Sequence, residues 1–132
     1  MAAMRDSLPS SIGLVGAGRV ASALGAAALA AGVRVGWVAG RTPTRVSALA
    51  GRLGCPGLPL SGARPDVGLV VVAVSDDMLE AVATELAASA SAVGRVVHPC
   101  GARGRDVLRP LADLGWYIGA WHQGASSRAR AG

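Results

Sequence analysis

The six residues Gly16-Ala17-Gly18-Arg19-Val20-Ala21 constrain this chain more than any others. They follow a short apolar stretch, Ser11 to Val15, and open an Ala- and Leu-rich stretch over 18–31. A strand that passes straight into a helix through such residues has few shapes available. Gly16 permits the tight turn out of the strand, and Gly18 leaves the backbone bare. Ala21 is small enough for the helix to pack on the strand. The first turn of the helix then offers unpaired N–H groups and the positive end of its dipole to an anion. The pattern alone is weak evidence in a chain with 19 glycines. Its position between an apolar strand and an amphipathic helix gives it weight as a pyrophosphate-binding turn.

The rest of the chain repeats the strand–helix alternation. Val20, Leu24 and Ala28 share one face at helical spacing, and Gly32 reads as the stop. Val33 to Ala39 is β-branched and aromatic, as a second strand should be. Thr42-Pro43 marks the next helix start: Thr supplies a cap oxygen, and Pro loses nothing at the first helical position. That helix turns Val46, Leu49 and Leu53 inward and stops at Gly54. A short edge strand is expected around Leu58 to Leu60. Val67 to Val74 is apolar on both faces, as a central parallel strand covered by helices must be. Asp77 and Glu80 have the spacing of a capping box for a helix running to about Ala88. Arg95 to His98 reads as a strand, Asp106 to Leu114 as a helix weakened by Pro110, and Trp116 to Trp121 as the last strand.

The expected fold is therefore α/β: an open, mostly parallel, doubly wound sheet of the Rossmann type with helices on both faces. Residues 1–10 read as a flexible leader, 11–122 as one dinucleotide-binding domain and 123–132 as a disordered tail. The length of 132 residues suits one domain. With 52% hydrophobic residues and no Phe, the core must be built from Val, Leu and Ala.

Composition also excludes some functions. All 13 basic residues are Arg, and the net charge is +5. The arginines are scattered, with no basic helix and no aromatic platform, so a nucleic-acid surface is not expected. No apolar run approaches a membrane span. Two cysteines, Cys55 and Cys100, make no disulfide framework, and a reduced cytoplasmic setting is the default. His98, Cys100 and His122 match no compact zinc site, so no metal is expected.

The end of the second strand selects the cofactor. An NAD site normally carries an acidic residue there for the ribose 2′-hydroxyl. This chain has Gly40-Arg41-Thr42, without a carboxylate, and Arg41 suits a 2′-phosphate. NADP is therefore expected over NAD. Thr42 and Arg45 are positioned to add contacts, and Arg19 lies beside the phosphates or points to solvent.

The run from Ile12 to Leu24, then Ala39 to Thr42, then Val72-Ala73-Val74-Ser75-Asp76-Asp77, resembles a bacterial family of Rossmann-like oxidoreductases with a C-terminal domain of unknown function, DUF2520. These are relatives of pyrroline-5-carboxylate reductase and the 6-phosphogluconate dehydrogenase-like group. His98 to Ala102 and Gly104 to Leu108 extend the resemblance, which covers about residues 11–122. It implies that Val74 and Ser75 line the cofactor, and that His98, Cys100 and Gly101 lie on the same carboxyl edge of the sheet. There are departures. Pro99 and Cys100 stand where the family has Thr and Ser, and the helical domain expected after His122 does not follow. In related reductases that domain forms the homodimer interface and closes over the substrate. Its lack here implies a truncated or frame-shifted product without independent catalysis.

Hydride transfer is the cofactor's chemistry, and the protein supplies position and electrostatics. His98 is the candidate proton donor near the nicotinamide, against the plainer role of a buried strand-end histidine. Asp76 and Asp77 are read as helix-capping groups, not as a catalytic pair. Two functions remain open. One is the NADP-binding part of an oxidoreductase acting on a small carbonyl or imine. The other is a non-catalytic nucleotide-binding module that senses redox state or holds a partner.

Overall fold

The computed structural model describes residues 9–63, 66–89, 94–99, 108–113, 115 and 117–120. Ser11–Val15 (β1) leads through the glycine turn into Arg19–Ala30 (α1), followed by Arg34–Gly40 (β2) and Pro43–Leu53 (α2). Gly57–Pro59 (β3), a 3₁₀ turn at Leu60–Gly62 and Leu69–Val72 (β4) come next. A second 3₁₀ turn, Asp76–Met78, precedes Leu79–Ser89 (α3), Arg95–His98 (β5), Arg109–Ala112 (α4) and Tyr117–Ala120 (β6).

The six strands form one sheet in the order β3-β2-β1-β4-β5-β6, and every neighbouring pair is parallel. This is the doubly wound order. The chain moves outward from β1 through β2 to β3, then returns to lay β4 against the other side of β1. The crevice between those two directions opens at the carboxyl ends of β1, β2 and β4.

Two cores flank the sheet, and the period-2 alternation of strands divides the side chains between them. Val70 and Val72 of β4 join Leu79, Val82, Ala83 and Leu86 of α3 with Leu108 and Leu111. Val71 turns the other way, to Ile12 and Leu14 of β1, Ala21 of α1, and Val46, Leu49 and Ala50 of α2. Helices thus cover both faces, which is why β4 reads as an unbroken apolar run.

Trp37 is the largest fully buried side chain among the described residues. Its indole lies across β1, and Gly13 supplies the room: a Cβ there would overlap the ring. The indole Nε1–H donates to Asp66 Oδ1 at 3.2 Å. Gly25 serves α1 in a similar way, since a Cβ would lie 2.6 Å from Cδ1 of Leu53 on α2.

Several local expectations are corrected. Val20 does not face the core; it is 49% exposed, and Ala21 and Gly25 take the buried positions. The close α1–α2 approach at Gly25 rotates that stripe inward. Leu24 and Ala28 stay half-buried. Thr42 occupies the cap position of α2 with Pro43 following, yet its side chain makes no cap hydrogen bond. Asp77 does not cap α3. A 3₁₀ turn closes first, with the Met78 N–H donating to the Ser75 carbonyl at 2.9 Å. The Ser75 hydroxyl donates to Asp77 Oδ1 at 2.8 Å, so that carboxylate is engaged upstream of the helix. β4 spans Leu69–Val72 only; at its start the Gly68 N–H donates to the Ser11 hydroxyl of β1 and not to a strand carbonyl. Pro110 lies in the first turn of a short helix, where it interrupts nothing. Gly54 ends α2 in the left-handed conformation, as expected of a helix stop.

The two glycines predict opposite sensitivities. Gly13→Ala forces the rigid Trp37 ring to move and should cost about 1–3 kcal/mol in chemical denaturation. Gly25→Ala meets the flexible ends of Leu53 and, less closely, Leu14, and gains about 1 kcal/mol of helix propensity. Its midpoint should stay close to that of the wild type.

Candidate functional site

The strand ends around the crevice are drawn together by the backbone. The Gly16 N–H donates to the Ala39 carbonyl at the end of β2, at 2.8 Å. The Ala73 N–H donates to the Val15 carbonyl, also at 2.8 Å. Gly16 adopts φ 120°, and a Cβ there would overlap the Ala73 carbonyl oxygen. This position therefore needs glycine twice over, for its backbone angle and for the close passage of the β4 exit.

Gly18 differs in kind. Its φ of −94° and ψ of −156° suit any residue, and a Cβ would meet nothing within 4 Å. The chain's own packing does not ask for a glycine here. Gly18 borders a cavity of about 360 Å³ at the mouth of the crevice. The helix it opens has no side-chain cap and no acidic residue in its first turn. Ala21, on the far side of that turn, is fully buried against the sheet. Bare backbone, unpaired N–H groups and a positive dipole end therefore face open space together.

The same cavity gathers most of the residues singled out from sequence. Gly16, Ala17, Gly18, Arg19 and Val20 form one side. Arg41, Thr42 and Arg45 stand at the end of β2, and Val74 and Ser75 follow β4. The exposed Val20 thus belongs to the cavity wall, which accounts for an apolar side chain left out of the core. Leu60, Met78 and Val82 supply an apolar surface opposite, which the sequence reading had not singled out. The two 3₁₀ turns bring Leu60 and Met78 there, and α3 brings Val82.

His98 ends β5 and is fully buried. It does not line this cavity among the described residues. Cys100 and Gly101 lie outside the described residues. Cys55, just past α2, is a free thiol whose pKa is raised by burial, which weakens it as a nucleophile at neutral pH. Among the described residues no group of three His, Cys, Asp or Glu side chains is placed to hold a metal, and no helix is long and apolar enough to cross a membrane.

One charge at the site comes from an unexpected place. The end of β2 carries no carboxylate of its own, but α3 brings Glu85 to it. Arg41 Nη2 and Nε donate to Glu85 Oε1 at 2.8 and 3.1 Å. The two residues are 44 positions apart, so no local pattern could have announced the pair.

Sheet order and glycine turn together define an α/β domain of the Rossmann type. Residues 3–122 match the Rossmann-like domain family, and the chain belongs to it. No curated protein is significantly similar in sequence. Among solved structures, one from Bacteroides fragilis, provisionally described as an NADP oxidoreductase, aligns with a TM-score of 0.74 and 21% identity over 92% of this chain. Shikimate 5-dehydrogenase from Thermus thermophilus, solved with NADP(H) and shikimate, aligns with a TM-score of 0.64 and 28% identity over 89% of it. The WlbA dehydrogenase of Bordetella pertussis, solved with NADH and UDP-GlcNAcA, gives a TM-score of 0.62 and 16% identity over 86%. The chain spans 46%, 46% and 37% of those three proteins, less than half of each.

The two glycines of the turn separate folding from binding. Gly16→Ala should lower stability by about 2–4 kcal/mol through backbone strain and overlap. Gly18→Ala should leave the thermal midpoint within about 2 °C of the wild type. The same variant should weaken dinucleotide binding about tenfold or more by blocking the phosphate approach, measured by calorimetric titration.

Proposed function

We propose that this chain is the NADP-binding portion of an oxidoreductase that transfers hydride to a small carbonyl or imine substrate. Gly18 is the observation that carries the reading. A glycine the fold does not require stands at an uncapped helix end, inside a cavity that Arg41 also lines. This fits a pyrophosphate at the turn and a 2′-phosphate beside β2. Bound there, the cofactor would supply the hydride chemistry.

The chain's own residues bind and orient. Backbone N–H groups at Gly18 and Arg19 would hold the pyrophosphate, with the Arg19 side chain above them. Thr42 supports the phosphate reading because its side chain is not spent on capping α2. Val74 and Ser75 would line the path of the cofactor past β4. The likeness to NADP(H)- and NADH-binding dehydrogenases supports a nicotinamide cofactor in general, and Arg41 supports NADP in particular.

A second reading is favoured by one observation. Among the described residues the cavity wall offers Arg, Ser and Thr but no carboxylate, His, Tyr or Lys. No side chain there is suited to deliver a proton at neutral pH. A nucleotide-binding module without catalysis is consistent with that lining, as is a cofactor half that receives its proton donor from elsewhere.

NADPH and NADH titrations followed by nicotinamide fluorescence test the cofactor assignment. NADPH should bind more tightly. Arg41→Ala should weaken it by about tenfold or more by removing a charge-assisted contact. NADH should change by less than about threefold, as expected for a surface charge it does not contact. Equal loss for both cofactors would refute the 2′-phosphate role. Turnover of NADPH with a panel of small carbonyls and imines separates the two readings: steady oxidation identifies an enzyme, and binding without turnover identifies the module.

A further inference from the structure

We propose that Glu85 tempers the preference for NADPH by competing with the 2′-phosphate for Arg41, so that the site retains useful affinity for NADH. This rests on the NADP reading above. The guanidinium presents Nε and Nη2 to a single carboxylate oxygen, Oε1 of Glu85. That edge is also the one best shaped for side-on recognition of a phosphate. A 2′-phosphate must therefore displace Glu85 or crowd onto the remaining face of the same guanidinium.

Both arrangements leave a carboxylate within one side chain of a nearly dianionic group. Like charges so placed disfavour NADPH and leave NADH, which carries no charge there, untouched. A ribose that ends in two hydroxyls can moreover donate to a carboxylate, the function that an acidic residue after the second strand serves in NAD sites. Here the carboxylate comes from α3, across the crevice. Glu85 also lines an adjoining cavity of about 450 Å³ that shares Gly40, Arg41, Val46 and Leu60 with the first. Arg41 thus borders both cavities, and its guanidinium is bonded to Glu85.

The pair is half exposed, at 44% and 46%. Such a bond is weak enough to exchange with a ligand, and its effect on affinity is modest. Glu85→Gln keeps the shape and removes the charge at a solvent-facing position, so the variant should fold normally. The experiment compares wild type, Glu85→Gln, Arg41→Ala and the double variant, each titrated with NADPH and NADH. Glu85→Gln should tighten NADPH about three- to tenfold, in the range of a partly screened charge pair. NADH should be unchanged or weaker. The gain should shrink in the Arg41→Ala background, because the competition runs through that guanidinium.

Weaker NADPH binding in Glu85→Gln would overturn the proposal and make Glu85 a support that holds Arg41 in place. An unchanged ratio of the two cofactors would overturn it equally. If Glu85→Gln has no effect while Arg41→Ala still costs NADPH affinity, only the role of Glu85 fails. If Arg41→Ala leaves NADPH untouched in both backgrounds, the NADP reading fails and takes this proposal with it.

Discussion

The structure depends on one crowded point, where the backbone of Gly16 passes between the exits of β2 and β4. Its N–H is bonded to the Ala39 carbonyl, and its Cα lies where any side chain would strike the Ala73 carbonyl oxygen. Three strand ends are therefore held in fixed relation by backbone alone. The crevice, the start of α1 and the positions of Arg41 and Val74 follow from it. A dinucleotide site needs that rigidity, because hydrogen bonds to phosphate oxygens tolerate only small errors in distance.

The site combines two kinds of positive potential. One is the uncapped end of α1, a partial charge carried by the backbone and fixed in place. The other is a set of side-chain charges, Arg19, Arg41 and Arg45, on exposed segments around the cavity. The first suits the pyrophosphate common to all nicotinamide cofactors. Under the proposed NADP reading the second would distinguish among them, with the carboxylate of Glu85 opposing it. The proposed site thus assigns general affinity to the backbone and discrimination to side chains at the rim.

Much of the fold was legible in the sequence, for physical reasons. β4 announces a central parallel strand because both of its faces are buried under helices. In the turn, Gly16 and Ala21 announce themselves because each answers a steric demand of the fold. What escaped was whatever depends on contacts between distant segments. The buried stripe of α1 runs through Ala21 and Gly25, not Val20, since the approach of α2 rotates it. Asp77 and Glu80 had capping-box spacing, but a 3₁₀ turn anchored on Ser75 captured the carboxylate first. The missing acid at the end of β2 was the plainest local observation, yet α3 delivers Glu85 there from 44 residues away. Local chemistry reads from sequence; the charge environment of a site requires the fold.

In the proposed site the α1 N-terminus holds the cofactor's pyrophosphate. Amide-resolved NMR titration of the isotopically labelled chain with NADP⁺ tests it most directly. The largest shift changes should fall on the backbone amides of Gly18, Arg19 and Val20, with a second group at Arg41 and Thr42. Saturable binding that leaves the amides of residues 18–20 unmoved would contradict it.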